Sequence, residues 1–174
     1  MSSNSHHSIL KRATIQTPIG PLVAIGDDEV LYFLGFADYS RLERQIERLK
    51  KRTKSIIINE SCPPIVSIEV ELKAYFAGEL KEFKTPIHFF GTPFQKQVWK
   101  DLIQISYGET RSYAEQAIKA GKPTAYRAVA NANGANQLAI IVPCHRVIAH
   151  DGTLGGYGGG LDRKRYLLEV ESGL

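Results

Sequence analysis

The chain has 174 residues, 43% of them apolar and 23% charged, with a net charge of +4 and a pI near 9.0. At roughly 150 residues per domain, this length holds one domain or two small ones and excludes long repeat arrays. Its two cysteines, Cys62 and Cys144, lie far apart in unlike settings, which argues against a disulfide-stapled secreted scaffold; no apolar run approaches the roughly 18 residues of a membrane span, and residues 1–7 carry no apolar signal core, so a soluble, intracellular protein is expected.

The first half reads as α+β. Ile9 to Ile15, Leu22 to Ile25 and Val30 to Phe36 are short runs rich in β-branched and aromatic residues, broken at Pro18-Ile19-Gly20-Pro21 and Asp27-Asp28 as hairpin strands are. Leu42, Ile46 and Leu49 then recur at helical spacing among charged residues, one apolar stripe on a charged cylinder. Ile56-Ile57-Ile58 reads as a further strand. After Pro63-Pro64, the positions Ile65, Ile68, Leu72, Phe76 and Leu80 mark a second helix, interrupted only by Gly78. No catalytic constellation stands out in this half, whose expected role is to brace the other.

Lys81 to Gly91 reads as the connection, giving an N-terminal supporting domain at 1–85 and a C-terminal domain at 86–174. Before the cut there are 12 basic and 11 acidic residues; after it, 10 and 7, together with 11 of the 15 glycines. This charge excess fits a solvated surface as well as an anionic partner.

In the second half, Thr92 is placed to cap a helix with Pro93 at its first position and Phe94, Val98, Leu102 and Ile105 on its buried face, ending at Tyr107-Gly108. Ser112 to Ala120 and Thr124 to Ala132 follow as two short helices around Gly121-Lys122-Pro123. That pattern matches a helix-turn-helix, whose second helix enters a nucleic-acid groove, although many helical hairpins bind nothing. Arg127 stands among Ala125, Ala128, Ala130 and Ala132, one long cation among small side chains that permit close approach.

Ala139 to Val142 reads as a buried strand running into Pro143-Cys144-His145-Arg146-Val147. An isolated cysteine is most often inert core, which suits Cys62. Around Cys144, however, proline supplies a rigid backbone and nearby cations would stabilise a thiolate, the nucleophilic form. At an unperturbed pKa of about 8.5 few thiols are ionised at neutral pH, so a base is needed, and His145 is the obvious one. Neighbours on a strand point to opposite faces, so the pair cooperates only if the backbone turns at Cys144. The run Gly155 to Gly160 lacks the lysine and spacing of a nucleotide-binding loop and reads as a flexible pocket-lining segment carrying Tyr157. A last helix spans Leu161 to Glu171, with Leu161, Leu168 and Tyr166 inward and Glu171, on composition, solvated. His6, His7, Cys62, His88, Cys144, His145 and His150 show no paired zinc-ligand spacing, and His6-His7 belong to a polar tail expected to be disordered or cloning-derived.

Taken together, Pro143-Cys144-His145-Arg146-Val147, preceded by Asn133-Gly134-Ala135-Asn136 and followed by Gly156-Tyr157-Gly158-Gly159-Gly160-Leu161, resemble the O6-alkylguanine-DNA alkyltransferases, also called methylated-DNA-protein-cysteine methyltransferases. The resemblance extends from about Ala74 to Glu171 and includes Tyr75-Phe76-Ala77-Gly78, Gly91-Thr92-Pro93-Phe94 and Tyr107-Gly108-Glu109-Thr110. It implies an α+β protein with a sheet-plus-helix N-terminal domain and a winged-helix-like, mostly helical C-terminal domain. It implies direct DNA repair, in which an alkyl group leaves O6 of guanine in double-stranded DNA and stays irreversibly on Cys144, a single turnover; O4-alkylthymine is left open as a second substrate. Carried over residue by residue, His145 is the base, through a water, and Glu171 orients it; Asn136 supports the active-site turn; Tyr113 helps rotate the 3′ phosphate and protonates the departing guanine. Arg127 fills the gap left by the extruded nucleotide, with Ala128 beside it on the DNA face, and Val147, Tyr157 and Gly158 hold the flipped base. The resemblance implies no cofactor and no metal, and a cytoplasmic monomer. Tyr126 beside Arg127 and Ala130 in place of a common glycine depart from the family's small-residue recognition helix, and some members carry serine where this chain has Gly158. Two other readings are weighed: a non-catalytic lesion binder, which would lack the cysteine, and a winged-helix transcription factor, which requires Cys144 to be buried.

Overall fold

The computed structural model describes residues 7–173, so the expectation for the tail through His6 lies outside it. Strands β1 (Ser8–Ile15), β2 (Leu22–Gly26), β3 (Leu31–Phe36) and β4 (Ser55–Asn59) form one sheet in the order β3-β2-β1-β4, antiparallel except for the parallel β1–β4 pair. That pair needs a crossover, which α1 (Leu42–Thr53) supplies. Alternation along the strands sends Leu10, Val23, Ile25 and Phe33 to the face covered by Leu42, Ile46 and Leu49 of α1. Leu22, Ala24, Leu34 and Phe36 point the other way, into a core shared with Ile65, Ile68, Leu72 and Tyr75 of α2 (Pro63–Phe76).

That second core does not stop at the end of the first half. Val98, Trp99 and Leu102 of α3 (Pro93–Ile103), Val129 and Ala132 of α5 (Tyr126–Gly134) and Leu167 of α6 (Leu161–Ser172) belong to it as well. Edge strand β3 is covered in both directions: Leu31 pairs with Pro86 and His88 of the connection, and Leu34 pairs with Gln137 and Ala139. An otherwise open sheet edge thus anchors the segment leading to Cys144.

Local signals start the C-terminal helices. Thr92 with Gln95, and Ser112 with Glu115, form reciprocal capping boxes at the starts of α3 and α4 (Tyr113–Lys119). Two-residue strands β5 (Arg111–Ser112) and β6 (Val147–Ile148) pair in parallel and tie the start of α4 to the residues after Cys144.

Four expectations are corrected. Residues 139–142, buried from Ile140 on, turn rather than extend, with Ile140 at φ 70, because the apolar run serves burial and the backbone must reverse before Pro143. Helix α2 ends at Phe76 rather than Leu80, since Gly78 adopts φ 77 and redirects the chain. Helix α3 likewise ends at Ile103, before Tyr107-Gly108. In α6 the inward stripe is Lys164, Leu167 and Glu171, whereas Leu161 and Tyr166 are exposed. Two of its three buried residues are charged, so apolar periodicity could not find them.

Candidate active site

Pro143 ends the turn, and Cys144–Arg146 form a single 3-10 turn. The backbone reversal that the Cys144–His145 pair needs is therefore present. It leaves Cys144 lining a cleft of about 760 Å³ and places the His145 and Arg146 side chains in the protein interior. No direct hydrogen bond joins Cys144 to His145 among the described residues.

Asn136, just beyond α5, engages both polar atoms of its side chain. Its Nδ2 donates to the Val142 carbonyl at 2.8 Å and to Cys144 Sγ at 3.4 Å, while its Oδ1 accepts from the Leu138 amide at 2.9 Å. It therefore holds the turn and aims at the sulfur together.

Behind the turn lies a buried network around Glu171. His145 Nε2 lies 2.6 Å from Glu171 Oε2, Arg146 Nε donates to Oε1 at 2.7 Å, and Arg146 Nη2 donates to Oε2 at 3.0 Å. The Tyr75 hydroxyl donates to the same Oε2 at 2.6 Å. Burial opposes charge on Glu171, but the hydrogen bonds from His145 and Arg146 outweigh it and bring the carboxyl down to about 2. Burial lowers His145 from its ordinary value, so the imidazole is neutral at pH 7. A neutral imidazole facing an ionised acceptor carries its proton on Nε2, and Nδ1, which has no partner, presents a lone pair.

The source of positive charge differs from the sequence reading. Arg146 is engaged by Glu171 and, through Nη1, by the Ile105 carbonyl at 2.6 Å, and His145 is neutral. The cation acting on the sulfur is Lys164. Burial pushes the Cys144 thiol up from its ordinary value, against the Asn136 hydrogen bond and the Lys164 charge. Lys164 is itself brought down to about 8 by burial, and its Nζ donates to the Val147 carbonyl at 2.6 Å and the Gly156 carbonyl at 3.0 Å.

The other expected residues surround the cleft. Tyr113, set at the first position of α4 by the Ser112 cap, directs its hydroxyl toward the Gly156 carbonyl at 3.4 Å. Arg127, Tyr126 and Ala130 line the mouth from α5, with Tyr126 60% exposed, and Ala128 is exposed on the same helix. Tyr157 and Gly158 line the opposite wall, and the Tyr157 hydroxyl is buried with no protein partner. Val147, expected to hold the base, is instead fully buried and does not line the cleft, its amide donating to the Cys144 carbonyl and its carbonyl accepting from Lys164. The glycine run is tied down rather than free: Lys164 holds the Gly156 carbonyl and Arg163 the Gly159 carbonyl. Cys62 is buried in the core at the start of α2, as a packing residue.

Sequence reasoning missed Tyr75, Arg146 and Lys164 as parts of this network. Tyr75 corrects the view that the first half contributes nothing to the chemistry. No group of three or more His, Cys, Asp or Glu among the described residues is arranged to hold a metal ion.

The family description for the DNA-binding domain of 6-O-methylguanine DNA methyltransferase matches residues 93–173, and that for its ribonuclease-like domain matches residues 10–89. Methylated-DNA–protein-cysteine methyltransferases of Mycobacterium tuberculosis and Methanosarcina barkeri are 49% and 44% identical over 159 and 158 residues, covering 91% and 90% of this chain and 90% and 94% of theirs. Among solved structures, Mycobacterium tuberculosis OGT in complex with DNA superposes with a TM-score of 0.80 at 45% identity, covering 95% of this chain and 93% of that one.

Proposed function

The chain belongs to the 6-O-methylguanine DNA methyltransferase family, and from that premise we propose which of its residues perform the transfer and how. It repairs DNA directly, moving an alkyl group from DNA onto a cysteine of its own. The residue we assign is Cys144. The observation that carries the assignment is that its sulfur lines a cleft shared with Arg127, Tyr113 and Tyr157, while its sequence neighbour His145 is held on Glu171.

The substrate is O6-alkylguanine in double-stranded DNA. O6 of a stacked guanine is out of reach of an in-line nucleophile, so the nucleotide is extruded at a cost of a few kcal/mol. Arg127, projecting from the first turn of α5, occupies the gap, and Ala128 lets the helix approach closely. Tyr157 and Gly158, which line the cleft, hold the base. His145 Nδ1 takes the thiol proton through a water, with Glu171 fixing its tautomer. The thiolate attacks the alkyl carbon, forming the C–S bond as the C–O6 bond breaks; the bonding pair leaves with guanine, which Tyr113 protonates. The thioether has no comparable leaving group, so each molecule reacts once.

The acting unit in this reading is a monomer, with residues 1–85 bracing residues 86–174. No described helix is long and apolar enough to cross a membrane. Two unpaired cysteines fit a reducing compartment such as the cytoplasm. The readings as lesion binder and transcription factor both lose ground, because a cysteine is present and it opens onto the cleft.

The test is to incubate the reduced protein with an oligonucleotide carrying O6-methylguanine and to follow intact and peptide mass. A methyl-sized increment on the Cys144 peptide is expected. Its absence in folded, reduced protein, or its appearance on Cys62, would overturn the assignment.

A further inference from the structure

A second groove, of about 390 Å³, runs between α1 and the C-terminal part of α5. Arg41, Arg44, Arg48 and Arg52 line it, and all four are exposed. At 100° per residue, these arginines and Gln45 fall within about 100° of one side of the helix, and Glu43 and Glu47 fall on the other. Glu47 there meets Lys50 at 3.3 Å. No Asp or Glu lines the groove, and among the described residues none of the four arginines has a carboxylate within ion-pair distance. Like charges at i, i+4 repel along a helix, so the row does not serve the stability of α1.

Its position supplies a purpose. Ala130 and Gly134 of α5 line this groove and also the Cys144 cleft, so α5 is a ridge with the reactive cleft on one flank and the arginine row on the other. We propose that the row is a second contact for the sugar–phosphate backbone of duplex DNA, extending the interface from α5 onto the N-terminal half. From Arg41 to Arg52 the row spans about 16 Å at 1.5 Å per residue. One DNA strand presents about five phosphates over that length, at 3.4 Å each. Guanidinium forks match phosphate oxygens, and such contacts add affinity and register without reading sequence. The proposal rests on α5 facing DNA, and it places the cations in the half whose net charge is only +1, where a count would not look for them.

Binding of an undamaged duplex is measured by fluorescence anisotropy between about 50 and about 200 mM salt, because log affinity falls with log salt by about 0.9 per phosphate neutralised. R44Q/R48Q/R52Q is expected to flatten that slope by about 2 to 3, Arg48→Gln alone by about 0.9, and R44K/R48K/R52K to preserve it. Should the triple glutamine variant not fold, the single variant carries the comparison. Alkyl transfer to Cys144 from free O6-methylguanine nucleobase, which has no phosphate, should be unchanged throughout. An unaltered slope in the glutamine variants would overturn the proposal and assign the row to a partner other than DNA. Failure of the unmodified protein to accept the alkyl group would instead count against the repair chemistry and leave the slope comparison intact.

Discussion

The Tyr75 hydroxyl donates a 2.6 Å hydrogen bond to Glu171 Oε2, joining α2 to α6 across 96 residues of sequence. The bond is buried, its acceptor is ionised, and that carboxylate is the one holding His145. The N-terminal half therefore reaches the chemistry through this hydroxyl as well as through the β3 edge that anchors the segment leading to Cys144.

Replacing Tyr75 with phenylalanine keeps the ring packed against Phe76, Phe83 and Tyr107 and removes only this donor. A hydrogen bond to a charged group contributes about 1.5–3 kcal/mol, and Tyr75→Phe should lower unfolding free energy in urea by that order. Because Arg146 still fixes Glu171, transfer should slow less than stability falls. An unchanged urea midpoint would show that the bond contributes nothing.

Glu171 makes the fold sensitive to acid. Its carboxyl sits at about 2 in the folded protein against an ordinary 4.5, so its contribution is fully present above about 4.5 and is lost as the pH falls toward 2. The difference corresponds to about 3 kcal/mol. His145, lowered by burial, acts in the same direction, since the unfolded chain takes up its proton first as the pH drops below 6.5. Glu171→Gln should abolish the acid-dependent component between about 4.5 and 2. At neutral pH it should cost about 3–5 kcal/mol, because the buried Arg146 loses its counter-charge. Urea titrations at a series of pH values test both statements, and a parallel pH dependence in the variant would refute the first.

Much of this arrangement is legible in the sequence, and the exceptions have one physical origin. The sheet strands read as short β-branched and aromatic runs, and α1 as a helix with one buried apolar stripe. Cys144 stands out because its neighbours are unlike those of a core cysteine. The run 139–142 is apolar for burial alone, and period cannot distinguish a buried turn from a buried strand there. Lys164 and Glu171 look like surface residues on α6 because their partners, the carbonyls of Val147 and Gly156 and the side chains of Tyr75 and Arg146, are supplied by distant segments. For the same reason Arg146 reads as a cation for the thiolate when its fork is committed to Glu171.

Lys164 sets the pH dependence of transfer. Burial raises the Cys144 thiol and lowers Lys164 to about 8, so the thiolate becomes abundant only in alkali, where the lysine loses the charge that favours it. The rate should climb with pH and flatten as Lys164 deprotonates. Lys164→Met removes the charge and releases the Val147 and Gly156 carbonyls, so the climb should begin at higher pH and the neutral-pH rate should fall. Single-turnover rates across pH decide this; a variant profile lying over that of the unmodified protein would remove Lys164 from the chemistry.

Arg127 separates base capture from chemistry. It is exposed at the mouth of the cleft, in the first turn of α5, and none of the described ion pairs includes it, so its cation is available to a ligand rather than to the fold. If it offsets part of the extrusion cost of a few kcal/mol, Arg127→Ala should slow transfer from a duplex roughly ten- to hundredfold, equivalent to about 1.4–2.8 kcal/mol. Transfer from the free nucleobase, which has no stack to leave, should be unaffected. Asn136→Ala provides the contrast, because losing the donor to Cys144 Sγ should slow both substrates alike. Measuring both variants on both substrates distinguishes the roles, since an equal loss for Arg127→Ala on free base and duplex would mean that Arg127 supports the cleft rather than the flipped nucleotide.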